Sequence, residues 1–167
     1  MRVYLTGFMG AGKTTVGRLL AAEFDCSFVD LDRAIEAAAG RSVKAIFDAA
    51  GESGFRRLEA DALRRTADFA HCVVATGGGT PLAAANRRWM RQHGVIVWLA
   101  ADFESLSRRV GTGGERPLWG DTGRARTLFY SRLEDYGDCD HEIDTAALTP
   151  ADVVRRIVAR LEAAGLR

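Results

Sequence analysis

The stretch Gly7-Phe8-Met9-Gly10-Ala11-Gly12-Lys13-Thr14 fits the spacing GxxxxGK[ST] and follows directly on the apolar run Val3-Tyr4-Leu5. The chemistry of that pattern is phosphate binding. Glycines permit positive φ and close backbone approach, so successive N–H groups can converge on phosphate oxygens. A helix starting after them adds the partial positive charge of its N-terminus. Lys13 supplies a full charge to the β- and γ-phosphates, and the Thr14 hydroxyl is a hard oxygen ligand for Mg²⁺. A glycine-rich turn of purely structural use needs neither the Lys-Thr pair nor a strand before it and a helix after it.

Four further sets of residues could act on what the cradle holds. Asp30 and Asp32 in FVDLD follow a second apolar run. If that strand reaches Asp30, the two carboxylates share one face; one can hold Mg²⁺ through water and the other can accept a hydrogen bond from an acceptor hydroxyl. The alternative use of Asp32 is to cap the next helix. In GFRRLE, Arg56 and Glu59 are spaced i,i+3 on a helix, as an anion grip or as a plain surface ion pair. Gly77-Gly78-Gly79 ends a third apolar run, and three glycines suit a place where a ligand or backbone must come close. Arg116 lies in the polar loop GERPLWG, ahead of Arg132.

The elements that must position these residues alternate between strand and helix. Val3 to Thr6, Ser27 to Val29, CVVAT, VIVWLA and HEID read as five short strands. Lys13 to Phe24, Leu31 to Ala39, a short helix capped by Ser42, Phe55 to Asp68, Pro81 through Met90, Asp102 to Val110 and Arg124 to Tyr136 read as helices. The last helix is the best signalled, with Thr149 at the N-cap, Pro150 at N1 and Asp152 at N3. Alternation of this kind predicts an α/β fold with a parallel sheet covered on both faces, and continuously apolar strands agree. No repeat or interdomain linker interrupts residues 1–167, so the expectation is one domain, with 32–66 and 111–124 as insertions over the core.

A formal net charge of +1 implies no nucleic-acid or membrane partner. Cys26, Cys72 and Cys139 have no paired spacing, and no signal-peptide core precedes the first strand, which together point to a reducing cytoplasm. No exposed heptad seam is evident, so a monomer is expected. A phosphate cradle serves a small-molecule kinase or a nucleotide-gated switch. A switch for GTP needs a guanine-reading NKxD, and the only asparagine, Asn86, stands in NRRW.

Taken together, GFMGAGKTTVGRLLA, FVDLDRAIE, IFDAAGESGFRRLE, ATGGGT and ERPL resemble the shikimate kinases, of the nucleoside-monophosphate-kinase-like P-loop fold, in order and close to spacing. The resemblance implies a three-layer P-loop kinase fold with a five-stranded sheet in the order 2-3-1-4-5, a substrate-binding region at 32–66 and a lid at 111–124. It implies ATP and shikimate as substrates and Mg²⁺ as the metal. Gly10, Ala11, Gly12, Lys13, Thr14, Thr15, Arg109 and Arg116 would meet ATP, with Arg109 against the adenine. Thr14, with Asp30 through water, would hold the metal. Asp32, Arg56, Gly77, Gly78, Gly79 and Arg132 would meet shikimate, the two arginines on its carboxylate. Lys13, Asp32 and Arg116 would be catalytic, Glu59 would orient Arg56, and Phe47 and Phe55 would form apolar walls. One departure bears on the acceptor: where the family commonly has Arg-x-Pro-Leu-Tyr, this chain has Arg132-Leu133-Glu134-Asp135-Tyr136. Two carboxylates therefore stand near an arginine meant to hold an anion. A kinase of the same fold for another polyol, such as gluconate, is the alternative.

Overall fold

The computed structural model describes residues 1–110 and 121–166. Five short segments form β1 (Arg2–Thr6), β2 (Ser27–Asp30), β3 (Cys72–Ala75), β4 (Val95–Ala100) and β5 (His141–Asp144). They pair in parallel, in the order β2-β3-β1-β4-β5 expected from the sequence. Successive side chains of a strand point to opposite faces, and here each face meets its own core. Val3, Leu5, Val97 and Leu99 pack with Val16 and Leu20 of α1 (Lys13–Glu23) and Ile157 and Leu161 of α8 (Pro150–Ala163). Tyr4, Val74 and Ile96 pack on the other side with Leu63 and Met90. These belong to α3 (Val43–Arg65) and α4 (Ala84–His93). Each large apolar side chain so buried stabilises the fold by roughly 1.5–3 kcal/mol, which makes the sheet a stiff platform for the loops it carries.

Strand register sets where the chemistry can occur. Ala75 is level with both Leu5 and Asp30. The loops leaving β1, β2 and β3 therefore emerge side by side at one edge, and these are the segments that carry Lys13, Asp32 and the three glycines. The chain also changes direction across the sheet at β1, with β3 and β2 on one side and β4 and β5 on the other. Ligands of open α/β sheets bind in the crevice at such a switch point.

Four details depart from the sequence reading. β2 reaches Asp30, one residue beyond the strand read from the sequence, and α2 (Leu31–Ala39) begins at once where the helix was expected, so Asp32 stands in the first helical turn and does not share a strand face with Asp30. Asp30, not Asp32, is the N-cap, accepting from Arg33 N at 3.4 Å. The helices expected on either side of GESG form one element, α3, kinked at Gly51 (φ 65°, ψ −176°); a left-handed residue there costs little because it is glycine. The helix expected from Pro81 is a 3₁₀ turn, Thr80–Leu82, followed by α4. The helix expected over 124–136 is two: α6 (Thr122–Ser131) and α7 (Leu133–Gly137), with Arg132 between them. The remaining helix, α5 (Phe103–Val110), and the capping box of Thr149 with Asp152 match the reading.

Candidate active site

Gly7, Gly10 and Gly12 all have positive φ, at 135°, 85° and 90°, a conformation other residues rarely adopt. Gly12 is the N-cap of α1, with no side chain capping the helix and no acidic residue in its first turn. The leading N–H groups of α1 are thus left to an external anion. The Lys13 ammonium donates to the carbonyls of Gly7 (2.7 Å) and Phe8 (3.1 Å), which holds it over the loop. Beside it, the Thr14 hydroxyl donates to Asp30 Oδ2 at 2.9 Å. A hydroxyl and a carboxylate in contact, with a second carboxylate two residues on, make a hard-oxygen set of the kind Mg²⁺ takes when it shares its shell with water and phosphate. The donor chemistry fits that ion.

On the acceptor side, three consecutive glycines each abut a residue from a different part of the chain. A methyl group on Gly77 would sit 2.7 Å from Glu59 Oε1 and 3.0 Å from Asp32 Oδ1. On Gly78 it would sit 3.4 Å from Arg132 Nη1, and on Gly79 it would collide with the Arg56 guanidinium. Asp32 from α2, Arg56 from α3 and Arg132 from the α6–α7 junction thus converge on one glycine turn. Gly79 has an ordinary right-handed backbone (φ −102°, ψ −8°), so alanine is conformationally allowed there and acts only by pushing Arg56 aside. Gly79→Ala is expected to raise KM for the anionic acceptor by about tenfold, the loss of one arm of a charged grip, and to lower the melting temperature as well, because moving Arg56 disturbs its pair with the buried Glu59; steady-state kinetics with thermal melting checks both halves.

The supporting contacts fix the arginines. Glu59 is fully buried. It accepts from Arg56 Nη1 at 2.8 Å and from the Thr80 hydroxyl at 2.7 Å. A buried carboxylate with both oxygens engaged holds its arginine in one orientation, and removing either partner would leave a charge stranded. Arg56 also donates to Glu52 at 3.2 Å and lies over Phe55, which stacks on Phe47 with centroids 4.6 Å apart. Arg132 Nη1 donates to Gly78 O at 3.3 Å, while its Nε is buried without a hydrogen-bond partner among the described residues. A buried guanidinium N–H left unpaired is costly, and an anion at this place would satisfy it. Tyr136 donates its phenol to the same Gly78 carbonyl at 2.6 Å. Burial pushes that phenol up to about 12, so it stays protonated and remains a donor.

Asp32 is open to solvent at the mouth of the cleft, yet protein surrounds it on most sides. That partial desolvation, with the negative charge of Asp30 next in importance, raises its pKa above the ordinary aspartate value, against the pull of Lys13. A carboxylate that holds a proton more readily than usual is suited to take one from a hydroxyl.

Arg109 donates to Thr145 Oγ1 (3.0 Å) and Ala146 O (3.2 Å), on the turn after β5, away from the acceptor groups. Its neighbour Val110 packs against Gly10, so Arg109 stands at the phosphate-loop end of the cleft. Arg116 and the lid segment 111–120 lie outside the described residues. Of the two unexpected carboxylates, Asp135 pairs with Arg87 at 2.7 Å and Glu134 is exposed. The bonds of Thr80 to Glu59 and of Arg87 to Asp135 were not foreseen; the one available signal was the basic NRRW set against the acidic EDYGDCD. A separate cleft of about 370 Å³ between α2 and α3, lined by Val29, Ile35, Leu58 and Phe69 among others, contains none of the converging groups.

Residues 9–162 match the family model described as shikimate kinase. The chain belongs to the shikimate kinase family. The shikimate kinase of Symbiobacterium thermophilum is 43% identical over an alignment that covers all of this chain and 99% of the relative. The shikimate kinase of Acinetobacter baumannii, solved in complex with shikimate, superposes with a TM-score of 0.90 at 34% identity, covering 99% of this chain and 95% of that one. A gluconokinase from Sinorhizobium meliloti superposes with a TM-score of 0.67 at 20% identity over 96% of this chain and 91% of its own, a likeness of fold alone. As a family member the chain is an ATP-using kinase with the P-loop kinase fold. Among the described residues no helix is long and apolar enough to cross a membrane.

Proposed function

We infer that this kinase transfers the γ-phosphoryl group of ATP to the 3-hydroxyl of shikimate, giving shikimate 3-phosphate and ADP. The observation that carries the reading is the meeting of Asp32, Arg132 and Arg56 on Gly77, Gly78 and Gly79, beside a phosphate cradle. A small ring bearing one carboxylate and several hydroxyls needs two cationic forks and one acceptor at such a turn. Guanidinium supplies planar, paired N–H donors matched to carboxylate oxygens, and the buried Arg132 Nε is a donor in want of such a partner.

The geometry of the described residues and the family match support the following roles. The backbone of residues 10–15 and the Lys13 ammonium hold the triphosphate. Mg²⁺, bound by Thr14 and through water by Asp30, would offset charge on the β- and γ-phosphates. Arg56 and Arg132 grip the carboxylate, Gly78 and Gly79 offer N–H groups, and Asp32 accepts the hydrogen bond of the reacting hydroxyl. The hydroxyl oxygen attacks the γ-phosphorus in line, the bond to the β–γ bridging oxygen breaks, ADP leaves, and the hydroxyl proton passes to Asp32. Such transfers are mostly loose, so alignment and charge stabilisation matter more than base strength. Residues 1–167 act as one domain in this reading, with 32–66 as the acceptor region and 111–124 as a lid bringing Arg116 to the transferring group. The protein works as a cytoplasmic monomer.

An ADP-release assay with MgATP over shikimate, gluconate and nucleoside monophosphates tests the substrate. Shikimate is expected to give turnover at least 10²-fold more efficient than gluconate, the discrimination available when a site's buried charged groups would otherwise be left unpaired. Comparable rates with gluconate would sink the assignment.

A further inference from the structure

The family pattern Arg-x-Pro-Leu-Tyr is broken here by Asp135, and this carboxylate has a specific partner. Arg87 of α4 is mostly buried, its side chain 13% exposed. Its guanidinium bonds two segments of chain that are far apart in sequence. One is the 3₁₀ turn, where it donates to Pro81 O and, at 3.3 Å, to Leu82 O. The other is α7 and the residue that follows it, where it donates to Asp135 Oδ1 at 2.7 Å and Asp138 Oδ2 at 2.5 Å.

Each of these segments is one wall of the acceptor pocket. The 3₁₀ turn continues directly from the glycines, since Thr80 N bonds Gly77 O at 3.1 Å and Leu82 N bonds Gly79 O at 3.2 Å. Helix α7 starts immediately after Arg132, and Tyr136 N closes on Arg132 O at 3.0 Å. At the pocket itself the walls are joined by Tyr136 and Arg132 on a single atom, Gly78 O. A five-residue helix cannot hold its own place, because so short a segment does not recover the cost of nucleation. Its orientation therefore depends on tertiary ties. Arg91 provides a second tie to Asp138 and Asp140, and Asp140 accepts from Ile96 N at 2.7 Å, so the chain beyond α7 is fastened to the sheet. That fastening shares the Asp138 carboxylate with Arg87, but the hydrogen bonds of Arg91 go to Asp138 and Asp140 and not to the 3₁₀ turn.

We propose that Arg87, paired with Asp135, is a positioning residue that sets the spacing between the Gly77–Gly79 turn and Arg132, and so the fit of the acceptor carboxylate. This deepens the substrate reading above and rests on it. The guanidinium is a spacer of fixed width: four acceptors surround a planar group with donors in fixed directions. Lysine has a point charge and no fork, so it can keep the attraction without keeping the distance.

The test compares Arg87→Lys, Asp135→Asn, the double variant and, as a control in the same charge cluster, Arg91→Lys. Arg87→Lys and Asp135→Asn are each expected to raise KM for shikimate by about five- to twenty-fold, the scale of effect that sub-ångström displacement of a clamp can have. KM for ATP should stay within about twofold of wild type and kcat within about threefold, since the spacing acts on acceptor binding alone. The double variant should be no worse than the more affected single one, because either single change already breaks the fork-to-carboxylate contact between the two residues. Arg91→Lys should lower the melting temperature as much as the others without moving KM for shikimate. The proposal is overturned by an unchanged shikimate KM in both single variants. It is also overturned if KM for shikimate and ATP rise together, or if Arg91→Lys gives the same shift, either of which marks general loosening. Wild-type protein that turned over another anionic polyol and not shikimate would refute the substrate reading; the Arg87 comparison would then be read on the KM of that acceptor, and stand or fall by the same ratio.

Discussion

Lys13→Met is expected to lower kcat by on the order of 10²-fold or more, the typical loss when one preorganised charge donor is removed from a transition state. Methionine keeps the length and apolar stem of the side chain and takes away the ammonium. The loop should keep its shape, since Gly7, Gly10 and Gly12 define it through their own positive φ angles. Nucleotide binding should therefore weaken far less than turnover falls, because the leading N–H groups of α1 remain. In the structure the ammonium already lies over the loop, on the Gly7 and Phe8 carbonyls. Little reorganisation is needed to bring it onto a phosphate. Titration of MgATP alongside coupled-assay kinetics separates the two quantities. A variant that lost binding and turnover in equal measure would mean that the lysine serves the ground state and not the transition state.

Asp32→Asn is expected to lower kcat/KM for shikimate by on the order of 10²- to 10³-fold, combining the loss of a charged hydrogen-bond acceptor with the loss of a proton acceptor. The change is nearly isosteric and removes one negative charge from a region that also holds Asp30, Glu36 and Glu59. Because partial burial and those carboxylates hold the Asp32 pKa above its unfolded value, ionised Asp32 is a burden on the fold: its linkage contribution is present at low pH and lost as pH rises through the raised pKa. The asparagine variant should thus be at least as stable as wild type at neutral pH while being far less active. Lowered activity accompanied by a lowered melting temperature would point to a structural role instead.

Much of this site could be read from the sequence because its parts are local. A cradle is a contiguous pattern whose glycines and lysine act through their own backbone and side chain, and FVDLD and GGG sit at strand ends that apolar runs announce. The sheet order followed from resemblance, and the positions of Lys13, Asp32 and Arg56 followed from the sheet. What could not be read is what depends on a distant partner. The break at Arg132 carries no proline or glycine, and helix propensity favours continuation from α6 into α7. The break is instead held by Tyr136 and Arg132 on Gly78 and by Asp135 on Arg87. Likewise FVDLD leaves open whether Asp32 shares a strand face with Asp30 or caps the helix read from Leu31, and the structure gives it neither use: Asp30 is the cap and Asp32 lies in the first helical turn. Its carboxylate still reaches Gly77, since the first turn of α2 projects into the same crevice.

The level ends of the parallel strands carry a practical corollary. Every group assigned to chemistry among the described residues lies at the edge where β1 finishes, and residue 1 lies at the other end of that strand, against Ala70 and His71. Five extended residues put about 17 Å of sheet between the two rims. An affinity tag or a surface linker joined ahead of Met1 therefore emerges at the rear of the molecule, and an immobilised enzyme would present its open cleft to the bulk solution.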